Sequence, residues 1–504
     1  MCGIAGGIGI GGEAGPDEAT VRAMCRMLQH RGPDGEGIWA SPDGAACLGH
    51  RRLSIIDLAT GGQPMFDASG RRAIVFNGEI YNFVELRAEL ESGGRVFRTR
   101  SDTEVLLAAF DEWGVQALPR LVGMFAFAIW DQADRSLLLA RDRVGKKPLF
   151  YLREGARLLF ASSLGALRAA AGTQLTTDPR AIDLFLTLGY IPAPLTVYQE
   201  VAKLEAGTSV LFQDGKCSTR AYWDPALPRG EFPGTREEAD REVDRLLHDA
   251  VRVRLRSDVP QGVFLSGGID SSLVSAVAVR EWKARVETFS MTFAEPDFDE
   301  SAHAGEVAGR LGTRHHALPG SRDLMDLLPD YVRHFGEPFG DSSALNVWRL
   351  SEATRRHVTV VMGGDGGDEG FAGYDWYRTA LRLGRIAGAL PPPLVRGLRA
   401  GLGALPGLPM AARMSRGLHH LARPGDGERF ASLRTFIGPE EVAALYGPGL
   451  AGLHADPVSP AERWLSSHFE RAGGSLLRRL RYTDIRTYLA DCLMPKVDVA
   501  AMAH

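Results

Sequence analysis

The sequence predicts two domains of different class: an α+β domain of layered antiparallel strands, then an α/β domain whose parallel sheet carries helices on both faces. Three observations carry that expectation. In the first half, short apolar runs at 73–76, 123–130 and 136–140 follow one another, with only a hairpin between the last two, as stacked antiparallel sheets require. From Val259 onward strands and helices alternate, with strands at 262–265, 286–293, 314–318 and 358–362 and helices at 271–282, 300–311 and 323–334. Such alternation builds a parallel sheet and places ligands at its C-terminal strand ends. Between the two patterns, Pro228, Gly230, Pro233 and Gly234 interrupt the periodicity. The expected division is 1–224, a linker at 225–236, and 237–504. The second part opens on a charged helix at 237–255 with Val243, Leu246, Leu247, Ala250, Val251 and Leu255 along one face.

Composition narrows the function classes. Apolar residues at 45% and charged residues at 24% are ordinary for a globular protein, and a net charge of −4 argues against nucleic acid as the main partner. No apolar run approaches the roughly 18–20 residues that span a bilayer, and no leader segment is legible. Cys2, Cys25, Cys47, Cys217 and Cys492 are odd in number and scattered, which suits a reducing cytoplasm; none forms the Cys-X-X-Cys pair of a zinc site.

The chain begins Met1-Cys2-Gly3-Ile4-Ala5-Gly6. Removal of the initiator methionine leaves Cys2 with a free amine whose pKa of about 7.7–8.0 suits it to act as base for its own thiol. A small buried cysteine is the bland alternative. Arg31-Gly32-Pro33-Asp34 is a turn-forming cluster, and residues 49–57 carry basic side chains into a short strand. The strand at 73–76 runs into Asn77-Gly78-Glu79-Ile80-Tyr81-Asn82. Asn-Gly there reads either as a hairpin turn or as an amide and a backbone N–H aimed at a developing oxyanion. Ser101-Asp102-Thr103-Glu104 caps a helix at 105–113.

These motifs, with His30 and with Arg52-Leu53-Ser54-Ile55, occur in the order and spacing of the glutaminase domain of class II, N-terminal-nucleophile glutamine amidotransferases, which the first half resembles. The resemblance implies that Cys2 attacks the side-chain amide of L-glutamine and releases ammonia through a thioester. It further implies that Arg52 pairs with the α-carboxylate, that Glu79 and Asp102 recognise the α-amino group, that Ile55 lines the pocket, and that Asn77 with the Gly78 N–H forms the oxyanion hole.

The second half centres on Leu265-Ser266-Gly267-Gly268-Ile269-Asp270-Ser271-Ser272. A strand, a tight Gly turn and a helix N-terminus expose backbone N–H groups at the positive end of a helix dipole, which suits a phosphate, with Asp270 placed to hold Mg²⁺ against it. Gly363-Gly364-Asp365-Gly366-Gly367-Asp368-Glu369 follows the last strand and offers carboxylates among glycines that let the backbone approach a ligand. His315-His316 tempts as a metal pair, but neighbours on a strand point to opposite faces.

Together with the first half, these loops resemble the bacterial B-type, glutamine-hydrolysing asparagine synthetases over essentially the whole chain. The resemblance implies ATP as substrate, Mg²⁺ on Asp270 and Asp368, and pyrophosphate on Ser266, Gly267, Gly268, Asp270, Ser271 and Ser272. It also implies a nucleotide beside Leu265, Gly363 and Gly364, and Asp365 assisting proton removal from the attacking ammonia. L-Aspartate is the default acceptor; another carboxylate, as in the exopolysaccharide-associated subgroup, is the alternative, and a homodimer is compatible with the family. Departures are Ser163 and Gly165 where relatives usually carry Glu and Lys, and Val499 where Arg is usual. Relatives continue beyond a motif like the final Met502-Ala503-His504, so a truncated second domain is expected, with a synthetase-deficient glutaminase or scaffold as a further alternative. Residues 378–424 hold eight arginines and no acidic residue, expected as a basic helical surface, with a membrane or acidic partner as the other reading.

Overall fold

The computed structural model describes residues 2–225, 232–282, 285–293, 295–319, 323–390, 394–395, 397–398, 401, 417–447, 450 and 458–504. The strands of the first half are β1 (Gly3–Gly9), β2 (Gly35–Ala40), β3 (Ala46–Arg52), β4 (Met65–Phe66), β5 (Arg72–Ile80), β6 (Gly123–Asp131), β7 (Ser136–Arg141), β8 (Phe150–Glu154), β9 (Arg157–Ala161), β10 (Val201–Lys203), β11 (Thr208–Gln213) and β12 (Lys216–Ala221). They form two antiparallel sheets ordered β10-β8-β9-β1-β3-β2 and β12-β11-β7-β6-β5-β4. Side chains alternate across each strand, and central strands such as β1 and β6 are buried on both faces, whereas edge strand β12 is exposed throughout. Ile4 and Ile8 of β1, Val75 of β5, Trp130 of β6 and Phe160 of β9 meet in the core between the sheets. Helices α1 (Glu18–Met27) and α4 (Leu164–Ala170) cover the outside of the first sheet, while α2 (Phe83–Ser92) and α3 (Asp102–Trp113) cover the outside of the second.

The Asn77-Gly78 pair is not a turn. Strand β5 continues to Ile80 and pairs with β6 through Asn77↔Ala126 and Gly78↔Phe125. A nine-residue strand partnered along its length overrides the local turn preference of Asn-Gly. Helix α5 (Pro179–Leu188) lies between β9 and β10 and packs Leu184 and Leu188 against Ala461 and Leu465 of the second half.

In the second half, α6 (Arg236–Arg254) begins with the Thr235/Glu238 capping box. The sheet is wholly parallel, ordered β15-β14-β13-β16 from β13 (Gln261–Phe264), β14 (Glu287–Thr292), β15 (Arg314–Pro319) and β16 (Val360–Met362). The crossovers are α7 (Ile269–Glu281) and α8 (Ser301–Leu311); α9 (Leu324–Phe335) and α10 (Ser343–Thr354) follow. Chain order reverses between β13 and β16, so the loops leaving these two strands face each other at the switch point. Helix α7 starts two residues earlier than its sequence suggests, which brings Asp270 into its first turn. His315 and His316 diverge: the His315 ring lies 3.1 Å from both Thr288 Oγ1 and Ser290 Oγ, whereas His316 Nε2 lies 2.6 Å from Glu287 Oε2.

Residues 226–231 of the expected linker and most of the basic stretch after 390 lie outside the described residues. Arg378, Arg382 and Arg385 sit on α12 (Asp375–Ala389), which follows α11 (Gly367–Phe371). Among the described residues no helix is long and apolar enough to cross a membrane.

Candidate active sites

Cys2 precedes β1 and shares the side-chain parity of Ile4, so its thiol enters the space between the two sheets at their open end. It lines a pocket with Arg52, Ile55, Gln63, Gly78, Glu79 and Asp102. The thiol donates to the Leu53 carbonyl at 3.7 Å, and burial pushes its pKa up. Gly78 admits no side chain, because a Cβ would fall 2.1 Å from the Met124 carbonyl oxygen. Asn77 lies beside it, fully buried, with both amide atoms lacking a partner. A buried amide without a hydrogen bond carries an unmet desolvation cost, which a bound ligand oxygen or N–H relieves.

Two carboxylates complete the pocket. Glu79 is buried, Oε1 has no partner, and burial raises its pKa. Asp102 opens α3, where Ser101 rather than Asp102 is the N-cap, accepting from the Thr103 N–H. Asp102 instead accepts the Ile80 N–H at 2.9 Å, and burial, with Glu79 adding like charge, pushes it up to about 7. A substrate ammonium placed between the pair would favour the charged form of both.

Arg52 lines the pocket, but its guanidinium is also anchored, donating to the carbonyls of Ile56, Asp57 and Leu58. Gln63 is a pocket residue that no motif contains, and Ser101 and Thr103, read from the sequence only as part of a helix cap, line the pocket too. Gln63 accepts the Phe76 N–H at 2.6 Å and donates to Thr103 Oγ1 at 3.3 Å, tying β5 to α3.

The second cluster lies at the switch point. After β13 the chain turns at Gly267 (φ +87°), where a Cβ would meet His303 Cβ at 2.7 Å. Ser266 Oγ receives the Gly268 N–H at 3.2 Å and sits 3.0 Å from Ser271 Oγ, closing the loop on itself. Gly268 caps α7 without any side-chain bond, leaving the first helical N–H groups to a ligand. The 363–369 loop packs directly on this turn: a Cβ on Gly364 would stand 3.1 Å from Ser271 N, and one on Gly367 2.4 Å from Asp270 Oδ2. Burial first, then the charge of Asp368, raises the Asp270 pKa. Glu369 is buried and accepts the Tyr374 hydroxyl at 2.7 Å; it braces the loop from behind. Asp365 is exposed on the front.

The halves meet through buried charge. Asp498, of the helix Met494–Ala501, accepts Arg31 Nη2 at 2.6 Å and Lys147 Nζ at 2.8 Å, with all three side chains at most 3% exposed. Arg31 Nε also donates to the Cys2 carbonyl at 3.3 Å. A cavity of about 50 Å³ nearby is lined from both halves, among others by His30, Ile191, Glu337 and Asp491. Ser163 and Val499 line it too. Lys146 has its pKa lowered to about 8, by burial first, and lies within electrostatic range of Asp365.

Residues 1–223 match the glutamine amidotransferase domain family, and residues 242–504 match the asparagine synthase family. The chain is 34% identical over 493 residues to asparagine synthetase [glutamine-hydrolyzing] 1 of Bacillus subtilis, covering 97% of this chain and 75% of that protein. It is 33% identical to asparagine synthetase [glutamine-hydrolyzing] 3 of the same organism, covering 75% of this chain and 64% of the relative. With asparagine synthetase B [glutamine-hydrolyzing] of Escherichia coli it shares 32% identity, over 75% of this chain and 66% of the relative.

Proposed function

The chain belongs to the glutamine-hydrolysing asparagine synthetase family, and from that premise we propose that it is a glutamine-dependent, ATP-consuming amide ligase with Cys2 as nucleophile and aspartate as acceptor. The observation that carries this reading is the Cys2 pocket: one thiol, the Gly78 backbone and two buried carboxylates whose pKa burial raises, with the unpaired buried amide of Asn77 next to Gly78 in the same strand.

With the initiator methionine removed, the Cys2 amine accepts the thiol proton and the thiolate adds to the carboxamide carbon of glutamine. Asn77 and the Gly78 N–H stabilise the oxyanion. Collapse expels ammonia, the amine returning the proton to the leaving nitrogen, and leaves a γ-glutamyl thioester that water hydrolyses to glutamate. Glu79 and Asp102 hold the substrate ammonium and Arg52 its carboxylate.

At the second cluster the acceptor carboxylate attacks the α-phosphorus of ATP and pyrophosphate leaves. Leu265, Ser266, Gly267, Gly268, Ser271 and Ser272, with Gly363 and Gly364, cradle the nucleotide and the departing phosphates. Ammonia then adds to the acyl-adenylate carbon, AMP departs, and Asp365 takes the surplus proton. Asp270 and Asp368 would hold Mg²⁺, which supplies charge neutralisation to the phosphates; their mutual repulsion fits a dication between them. We place the domain boundary at 225–236, between the stretches matched by the two families. Five free cysteines support a cytoplasmic setting, and a homodimer rests on the resemblance alone.

The test is a three-product assay. Purified protein with glutamine, Mg-ATP and aspartate should yield glutamate, pyrophosphate and asparagine together. Glutamate without pyrophosphate, whichever carboxylate is offered, would overturn the ligase reading; pyrophosphate only with a different carboxylate would move the acceptor.

A further inference from the structure

Both sheets of the first half line a cavity of about 250 Å³, against about 50 Å³ for the one between the halves. It lies at the end of β1 away from Cys2. Ile8 and Gly9, which close that strand, line it, and at about 3.3 Å per residue β1 sets them roughly 20 Å from the thiol. The cavity shares no residue with either candidate active site. Its inner wall is apolar. Ile8 and Phe212 are buried in the core between the sheets, Ile10 packs against that core, and the Phe212 ring meets Tyr151 edge to face at 5.9 Å.

The outer lining is cationic. Arg153 sits on β8 with the side-chain parity of Tyr151, which turns it toward the second sheet. Lys216 opens β12 after the tight Asp214-Gly215 turn, where both φ angles are positive. Arg135 is the third cation and is paired with Asp43 at 2.5 Å. Among the described residues Arg153 and Lys216 have neither an ion pair nor a hydrogen-bond partner, and Asp214 is the one carboxylate of the lining. Gly11 (φ +69°) and Gly12 (φ +93°) line the cavity too, with N–H groups that no described residue accepts. Nothing stands within 4 Å of a Cβ at either, so the backbone conformation rather than crowding calls for glycine. Two unpaired cations beside one cavity repel each other while it is empty, and both gain from an anion placed between them.

We propose that this cavity is a binding site for a small phosphate monoester with an apolar body. The apolar body lies against Ile8, Ile10 and Phe212, and the dianionic head is met by Arg153 and Lys216, with the Gly11 and Gly12 N–H groups as further donors. An apolar wall with a few convergent polar groups at its mouth is the usual build of a small-molecule site, and the volume limits the occupant to a small one. The site stands apart from the chemistry at Cys2 and at the 266–272 loop, so it holds whether or not the chain makes an amide.

The experiment titrates phenyl phosphate, inorganic phosphate and benzyl alcohol into the full chain by calorimetry, in the wild type and in the double variants R153Q/K216Q and R153K/K216R. Both positions are exposed, and circular dichroism checks that the variants fold. Phenyl phosphate should saturate one site per chain in the wild type with a Kd below about 1 mM. R153Q/K216Q should weaken it at least about tenfold, while the charge-preserving R153K/K216R stays within about threefold. Inorganic phosphate lacks the apolar body and should bind about tenfold more weakly than phenyl phosphate. Benzyl alcohol, without the charge, should not saturate. The 266–272 loop is intact in both variants, so binding there would survive R153Q/K216Q unchanged, and that result overturns the inference. A wild type that shows no saturable binding of phenyl phosphate, or that takes inorganic phosphate equally well, overturns it too.

Discussion

Cys2 is buried without an imidazole or carboxylate partner, its thiol donating to a backbone carbonyl. His50 is close by in the sheet, but burial drives its pKa down to about 3 and its Nε2 faces the Phe76 carbonyl at 3.2 Å. In the proposed mechanism the base is the amine of Cys2 itself, and Cys2→Ala should abolish glutamate release while sparing amide synthesis from free ammonia. Loss of both activities would contradict two separate sites. Asp102 adds a pH signature. Its pKa is raised to about 7, so the empty pocket holds it protonated below that pH, whereas binding of the glutamine ammonium needs the carboxylate. The KM for glutamine should fall as pH rises through about 7, and D102N should flatten that dependence while raising KM at high pH.

At the level of elements, both sites depend on glycines where a strand ends or another backbone passes close by. Gly267→Ala would force a side chain to a positive φ and against His303. The conformational part alone costs about 1–2 kcal/mol, so nucleotide affinity should weaken at least tenfold by calorimetry while glutamate release persists. The strand–Gly–helix string around Gly267 was legible in the sequence because each of its parts is local: an apolar run, a turn and a helix start. Asn77-Gly78 was ambiguous for the opposite reason. Whether that pair turns or continues is decided by β6, some fifty residues away. Asp102 was legible as a pocket residue through the resemblance alone; the residues by themselves left it as part of a helix cap, and the fold shows Ser101 taking the cap while Asp102 accepts the Ile80 N–H.

At the level of the whole molecule, the interface was the least legible part. Arg31 lies 467 residues from Asp498 and Lys147 lies 351 from it, so no local pattern announces that the three converge. Arg31 reads as part of a turn motif; only the docked halves bring it to Asp498. The cluster makes a stability prediction. Arg31 and Lys147 hold the Asp498 carboxyl down to about 2 against the opposing effect of its burial. A depressed pKa means that the contribution is present above the unfolded value near 4 and is lost as pH falls through about 2. Asp498→Asn leaves two cations buried without their partner and should destabilise the protein by about 3–5 kcal/mol at neutral pH, read as a lower Tm. That loss should shrink in acid, and a variant with an unchanged melting temperature at pH 7 would contradict a structural role for the cluster.

The measurement that bears most directly on the whole is the fate of one nitrogen atom. Glutamine labelled with ¹⁵N in its amide is incubated with the protein, Mg-ATP and aspartate, and the products are followed by NMR alongside pyrophosphate release. Label is expected in the side-chain amide of asparagine, with one pyrophosphate formed per labelled amide and the signal lost in Cys2→Ala. Label found only as free ammonium, with glutamate accumulating and no pyrophosphate formed, would show a glutaminase that makes no amide and would contradict the coupling of the two sites.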